Sequence, residues 1–398
     1  MTEQTIKIYN GKLIGINRII EHAVIVLRNG KIDMIAQGDI TIPDAITINA
    51  QGKYITAGFI DIHVHGGGGA DFMDGNVEAF LKVAETHAKY GTTAMVPTTL
   101  TSDKAHLLET LRIYDEAHLQ NTNGASFLGL HIEGPYFSMN QRGAQDPRYI
   151  RDPDPKEYKE ILHASDAIVR WSVAPEKKGA IAFGRYLRQH GVIPSIAHTD
   201  AIYEEVIEAF ENGYNLATHL YSAMSGVTRK DAFRYAGVIE SAFIIDEMDV
   251  EIIADGIHLP APLLKLVYKI KGPDKIALIT DAMRGAAMPA GPSMLGNIKN
   301  GLPVIIEDDV AKLPDRSSFA GSVATTNRLI RTMVQLADIS LTEAIKMLTY
   351  TPARIMGVTD KKGSLAVGKD ADIVILDQDF NVHQTIIKGK IVYDSAQS

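Results

Sequence analysis

The chain has 398 residues, 45% hydrophobic and 22% charged, which gives it material for one large domain plus a smaller one and excludes disorder as its main character. A formal net charge of −8 disfavours a general nucleic-acid role, because phosphate contacts demand a concentrated Lys/Arg surface. Cysteine is absent, which excludes disulfides and thiolate sites and leaves His, Asp and Glu as the strong metal ligands.

The opening residues lack a basic start leading into an apolar core, and no run of about 18 apolar residues follows, so a cytoplasmic, non-membrane protein is expected. The first fifty residues hold short β-rich runs, "TIKIYN", "AVIVLRNGKIDMIAQG" and "AITINAQGKYI", broken by Gly and Asn at turn positions. They predict a small sheet.

Next comes "GFIDIHVHGGGG", Gly58 to Gly69. A phosphate loop would lead from its glycines straight into a helix with Lys and Ser/Thr behind them; here Ala70 and Asp71 follow. In an extended strand His63 and His65 project from one face, so they can share or neighbour a metal ion, or simply be a satisfied pair at a strand end. The glycines allow a tight exit from the strand without side chains over the site.

From here to residue 357, short apolar strands alternate with amphipathic helices such as "VEAFLKVAETHAKYG", "DKAHLLETLRIYDEAHLQ" and "AIYEEVIEAFENG". The predicted strands are "FIDIHVH", "TTAMVPTT", "SFLGLHIEG", "IVRWSVAPE", "VIPSIAHTD", "YNLATHL", "EIIADGIH" and "KIALITDA". Eight is the number that closes a (β/α)8 TIM-like barrel; an open doubly wound sheet would carry G-x-G-x-x-G after its first strand, and none sits there. The C-terminal runs "DADIVILDQDF" and "VHQTIIKGKIVYD" return to the texture of the start. The expected organisation is therefore a barrel over residues 58–357 and a small β-sandwich domain from both chain ends, residues 1–57 plus 358–398.

Barrel enzymes place their chemistry at the carboxyl ends of the strands. The predicted strands end in His63 and His65, Thr98, His131 with Glu133, Glu176, His198, His219, Asp255 with His258, and Asp281. His87, His106, His118 and His163 lie on helical stretches and read as surface or packing residues. Imidazoles with carboxylates suit zinc or iron rather than magnesium. Such an ion polarises a carbonyl and acidifies bound water, and Asp281, closing the last strand, is placed to move the proton. The expected class is a metal-dependent hydrolase.

In order along almost the whole chain, "GFIDIHVHG", "LHIEGPYF", "SIAHTDA", "ATHLYSAM", "IADGIHL", "ITDAM", "FAGS", "TPARIMG" and "GSLAVGKDADIVIL" resemble the N-acetylglucosamine-6-phosphate deacetylase family of the amidohydrolase superfamily. "HIEGP" followed by the spaced histidines and "TDA" is specific to that family, while "GKDADIV" is shared across the superfamily. The resemblance implies a cytoplasmic homodimer acting on a small amino-sugar phosphate, with one or two divalent ions, zinc or iron, per subunit. Glu133, His198 and His219 would hold the primary ion, and His63 and His65 a second, with Glu133 reaching both. Asp281 would be general base and then general acid.

His258 in "DGIH" matches the family's phosphate-contacting histidine, and Ser222 and Ala223 in "LYSAM" fall at the substrate. Arg229 is the nearest match to an arginine that reaches a neighbouring subunit's phosphate; Lys230 and Arg234 are alternatives, and Arg's planar fork favours Arg229. Two positions depart from the family: Ser222 where Asn is common and Gln145 where His is common. Both retain hydrogen bonding but change reach and donor count, which leaves N-acetylgalactosamine 6-phosphate, or another N-acetyl-hexosamine phosphate, open as substrate. Rival readings are a cyclic-amide hydrolase, which Glu133 in place of a bridging carboxylated Lys argues against, a base deaminase on the same barrel, and a barrel that only binds a sugar phosphate.

Overall fold

The computed structural model describes residues 5–38 and 40–397; residues 1–4, 39 and 398 of the expected end domain lie outside the described residues. Near the N-terminus the strand Ile6–Ile14 pairs antiparallel with Ile19–Arg28, which pairs in turn with Lys31–Gln37. The second hairpin turns through Asn29 and Gly30, at φ 51° and 73°, a left-handed pair for which Asn-Gly is the favoured choice. Ile6–Ile14 also pairs in parallel with Ile46–Asn49 and Tyr54–Ala57.

Tyr54–Ala57 is joined by the other end of the chain: Ile373–Leu376 lies antiparallel to it with Ile373 opposite Ala57, and Val382–Ile387 and Lys390–Asp394 follow. The two ends thus build one eight-stranded sheet, a single connected ladder among the described residues. Its apolar face buries Ile8, Ile25, Ile55, Ile373 and Ile386 in one cluster.

The middle of the chain supplies parallel strands β1 (Phe59–Val64), β2 (Thr92–Pro97), β3 (Leu130–Glu133), β4 (Ile168–Val173), β5 (Ile193–Ile196), β6 (Leu216–Ala217), β7 (Asp249–Ile253) and β8 (Ile276–Ile279). β1 pairs with β2, and β3 to β8 form a continuous parallel ladder. Thr99 N donates to His131 O at 3.0 Å between the ends of β2 and β3, while Asp281 N donates to His63 O at 2.9 Å and His65 N to Ala282 O at 2.8 Å between β8 and β1. The result is an α/β architecture with a curled parallel sheet, consistent with a TIM-like barrel. All eight predicted strands are present.

Helices pack outside this sheet. Val77–Ala88 starts where the Asn76 side chain accepts Ala79 N and buries Phe80, Val83 and Ala84; Lys104–Gln120 starts on Asp103 in the same way. Along β1 the period of two sends Ile60 and Ile62 into an apolar cluster with Ala353, and leaves Asp61, His63 and His65 on the opposite, inner face. A polar interior follows: His131, Arg170, Ser172, Ser195 and Glu251 are fully buried.

Between "KIALITDA" and "TPARIMG" the sequence predicts no elements. That stretch forms a three-stranded antiparallel sheet, Gly291–Leu295, Leu302–Glu307 and Val310–Lys312, followed by the helix Thr326–Arg331. The sheet has its own small core of Met283, Leu295, Val304 and Ile306, beside the carboxyl end of β8.

Candidate metal and active site

Glu133 is the last residue of β3, His63 lies in β1 and His65 just beyond it; His198, His219 and Asp281 each follow their strand by two residues. Those three adopt positive φ, 46°, 32° and 48°, a region costly for residues with a Cβ and concentrated at functional sites. The turned backbone brings six side chains from five strand ends to one point.

Glu133 is the hub. Its Oε1 lies 3.2 Å from His219 Nε2, 3.3 Å from His198 Nε2 and 3.5 Å from His63 Nε2, and its Oε2 lies 3.5 Å from His65 Nε2. Two sets of possible ligand atoms result, His63–His65–Glu133 and Glu133–His198–His219, each within 4.8 Å and wholly buried. Imidazole and carboxylate donors at this spacing fit divalent zinc or iron, with Glu133 able to serve both sets. Asp281 Oδ1 stands 3.1 Å from His65 Nε2 and 3.4 Å from His63 Nε2, beside the ligand set rather than behind it.

Each of the four histidines turns Nε2 inward and gives Nδ1 a fixed partner. His65 Nδ1 faces Thr98 O at 3.2 Å, His198 Nδ1 faces Gln141 O at 2.8 Å and His219 Nδ1 faces Ser222 O at 3.2 Å. His63 Nδ1 instead faces a carboxylate, Glu251 Oε2, at 3.3 Å. Holding the outer nitrogen as donor leaves the inner one free to bind a metal.

The charges are tightly linked in the metal-free chain. Burial pushes Glu133 up, but the His63 charge and hydrogen bonds from His198 and His219 outweigh it and hold the carboxyl well below its usual range. Burial also pushes Asp281 up, and His63 and His65 bring it below its ordinary value. His65 is opposed by burial, yet Asp281 and Glu133 lift it to about 9. His131 goes the other way: burial and the Arg170 charge push it well below its usual value. It is satisfied by Ser172 Oγ at 2.6 Å and Thr98 Oγ1 at 3.3 Å, which makes it a packing residue.

A cavity of about 510 Å³ opens over the cluster, a size suited to a small ligand. Its wall includes His65, Glu133, His198, His219 and Asp281, together with Gln145, Ser222, Ala223 and His258. Asp255 aims His258, accepting its Nδ1 at 2.8 Å and its backbone N at 2.8 Å. Gln145 is turned toward the cluster: Thr101 N donates to its Oε1 at 2.9 Å, and its Nε2 donates to Glu133 Oε2 at 2.6 Å. Glu176 accepts Thr199 Oγ1 and Asp200 N and so braces the loop after β5.

Arg229 lies outside this cavity. It is on the exposed hairpin Thr228–Lys230/Phe233–Tyr235, with Lys230 and Arg234. The cations that do line the wall, Lys312 and Arg316 beside Phe319, carry no sequence signal, because Lys312 ends the last strand of the antiparallel sheet and Arg316 lies in the turn after it. Arg170 and Glu251 were missed as well, although each is a charged residue inside an apolar strand run, "IVRWSV" and "DVEII".

The glycines after His65 do not form an anion cradle. Gly66, Gly68 and Gly69 N–H groups donate to Ala282, Ala286 and Arg284 carbonyls at 2.9, 2.8 and 3.0 Å. They permit close packing: a Cβ on Gly66 would lie 2.4 Å from Ala70 O and 2.8 Å from Arg284 N.

Comparison with known proteins gives one consistent neighbourhood. The Amidohydrolase family profile matches residues 54–392. The chain is 36% identical over 366 residues to an N-acetylglucosamine-6-phosphate deacetylase of Lysinibacillus sphaericus, covering 92% of each chain. It is 32% identical over 352 residues to an N-acetylgalactosamine-6-phosphate deacetylase of Escherichia coli O157:H7, covering 88% of this chain and 90% of that one. The crystal structure of an N-acetylglucosamine-6-phosphate deacetylase from Pasteurella multocida superposes with a TM-score of 0.91 at 30% identity, over 97% of this chain and 99% of the other.

Proposed function

The chain belongs to the amidohydrolase family, and from that premise we propose that it hydrolyses the acetamide of N-acetylglucosamine 6-phosphate to glucosamine 6-phosphate and acetate. The observation that carries this reading is the Glu133-centred cluster at the floor of a cavity, in a chain whose relatives bear that activity over nearly their full length.

Glu133, His198 and His219 would hold one divalent ion, zinc or iron, and His63, His65 and Glu133 a second. An ion held there would supply Lewis-acid polarisation of the amide carbonyl and would make water a better acid. Asp281 takes a proton from the attacking water as its oxygen bonds to the acetamide carbon, then gives that proton to the amine nitrogen as the C–N bond breaks. In the metal-free chain the neighbouring histidines hold its carboxyl below its ordinary value, and a cation at the ligand set would favour the same ionised form, the one this step requires.

The phosphate end points to His258, with Ser222, Ala223 and Gln145 around the sugar. The fold is a (β/α)8 barrel of residues 58–357 with a β domain of residues 1–57 and 358–398. A cytoplasmic homodimer brings Arg229, or its neighbours Lys230 and Arg234, to a partner's phosphate; exposed Phe233 (72%) and Val227 (60%) on and beside that hairpin support an interface there. Among the described residues no helix is long and apolar enough to cross a membrane.

One further reading has an observation behind it. Gln145 and Ser222 stand at the sugar where the family commonly has His and Asn, and one relative is a deacetylase for N-acetylgalactosamine 6-phosphate. The test is acetate release from both sugar phosphates and from N-acetylglucosamine by the metal-loaded protein. Preference for the glucosamine isomer is expected, and preference for the galactosamine isomer would transfer the assignment. Asp281→Asn should keep its metal and lose about 10²–10⁴-fold in rate; a normal rate with metal retained would remove Asp281 from proton transfer.

A further inference from the structure

His63 is distinguished from the other three inward histidines by its outer partner. The others lean on backbone carbonyls; His63 Nδ1 meets Glu251 Oε2 at 3.3 Å. Glu251, on β7, is clamped from β4 by Arg170, whose Nη2 donates to Oε2 at 2.9 Å while Nη1 donates to Oε1. Arg170 is itself held by Thr218 Oγ1 at 2.8 Å from Nη2, Ser195 Oγ at 3.0 Å from Nε and Ile62 O at 3.3 Å from Nη1. Both charged residues are completely buried.

We propose that Glu251 and Arg170 are positioning residues that make His63 a metal ligand, so that the His63–His65–Glu133 site depends on them and the Glu133–His198–His219 site does not. The proposal rests on the two-ion reading above. A histidine binds metal through a neutral ring nitrogen, and the nitrogen that carries the proton is chosen by the acceptor opposite it. A carboxylate chooses more strongly than a carbonyl and raises the donor strength of the ligating nitrogen.

Such a carboxylate needs a counter-charge at this depth, because an unpaired buried ion is strongly disfavoured. Arg170 supplies it with a bidentate fork, the geometry a lysine cannot offer. The chain therefore maintains a buried arginine–carboxylate–imidazole relay that crosses from β4 to β7 to β1 and ends at one ligand nitrogen. Among the described residues, His198 Nδ1 and His219 Nδ1 face backbone carbonyls and no carboxylate in this position.

The experiment is zinc titration of chelator-stripped full-length chain, with bound zinc per chain counted after dialysis. Wild type should bind two ions. Glu251→Gln should keep the first with unchanged affinity and bind the second about 10–100-fold more weakly, the usual effect of losing a partner behind a ligand. His63→Asn should lose the same ion, and adding Glu251→Gln to it should weaken binding no further.

Removing one member of a buried pair can itself unfold a protein, so the double variant Arg170→Met/Glu251→Leu, which removes both charges, is measured alongside. The same selective loss is expected in that variant. Equal weakening of both sites, or an unaltered second site in Glu251→Gln, would overturn the proposal while leaving two ions in place. A wild type that binds a single ion would instead overturn the two-ion reading, and the inference with it.

Discussion

A proton and a metal compete for the same nitrogen at His65. In the metal-free chain Asp281 and Glu133 lift this histidine to about 9 against the opposing effect of burial, so at neutral pH an ion must displace a proton to enter. Zinc affinity at the His63–His65–Glu133 site should accordingly climb with pH until about 9. The same shift affects stability. A folded-state value above the unfolded 6.5 means that the protonated form is favoured by folding. The contribution, on the order of 3 kcal/mol, is fully present below pH 6.5 and is lost as pH rises through about 9. Melting of chelator-stripped wild type against His65→Asn between pH 6 and 9.5 should show the gap closing across that window. A gap independent of pH would mean that the proton is not on His65.

At the scale of elements, the site is made by how strands end. The inward ligands were legible because strands β1, β3, β5, β6 and β8 are apolar runs closing on His, Glu or Asp, a pattern that apolar packing alone does not require. Less legible were features that depend on which strands become neighbours. Arg170 and Glu251 read as isolated charges until β4 and β7 are placed around one interior. The pairing of Leu302–Glu307 with both its neighbours brings Lys312 to the cavity, and no residue in that stretch signals a ligand. The glycine run was legible as a special turn, but its reason is close contact with Arg284 and Ala70 rather than open space. Gly66→Ala tests this: with backbone atoms 2.4 and 2.8 Å from the new Cβ, the loop must move. A loss of about 1–3 kcal/mol is expected from the overpacking, measured by denaturant unfolding. Because His65 is the preceding residue, the variant should also weaken zinc binding at the His63–His65–Glu133 site. Unchanged stability would show that the loop after β1 has slack.

At the scale of the whole molecule, the curled sheet is anchored by the two chain ends. Gly58 N, one residue before β1, donates to Asp372 O at 2.9 Å, and Asp372 Oδ1 accepts Lys388 N at 2.8 Å. The other Asp372 oxygen meets Lys362 Nζ at 2.5 Å, which also reaches Asp370 at 3.0 Å. Burial works against the Lys362 charge, but Asp372 and Asp370 more than offset it and raise its value above the ordinary lysine range. Asp370 has a second cation in Lys31 at 2.7 Å, whereas Asp372 depends on Lys362 and its backbone donor. Lys362→Ala should therefore leave Asp372 as an uncompensated buried charge and cost about 3 kcal/mol, the lower part of the range for breaking a buried pair. Lys362 is far in sequence from every ligand and absent from the cavity wall, so well below the melting temperature acetate release should be unaltered, while the melting temperature falls. A rate that drops in parallel with stability at low temperature would mean instead that the joined chain ends set the register of β1, and through it the position of His63 and His65.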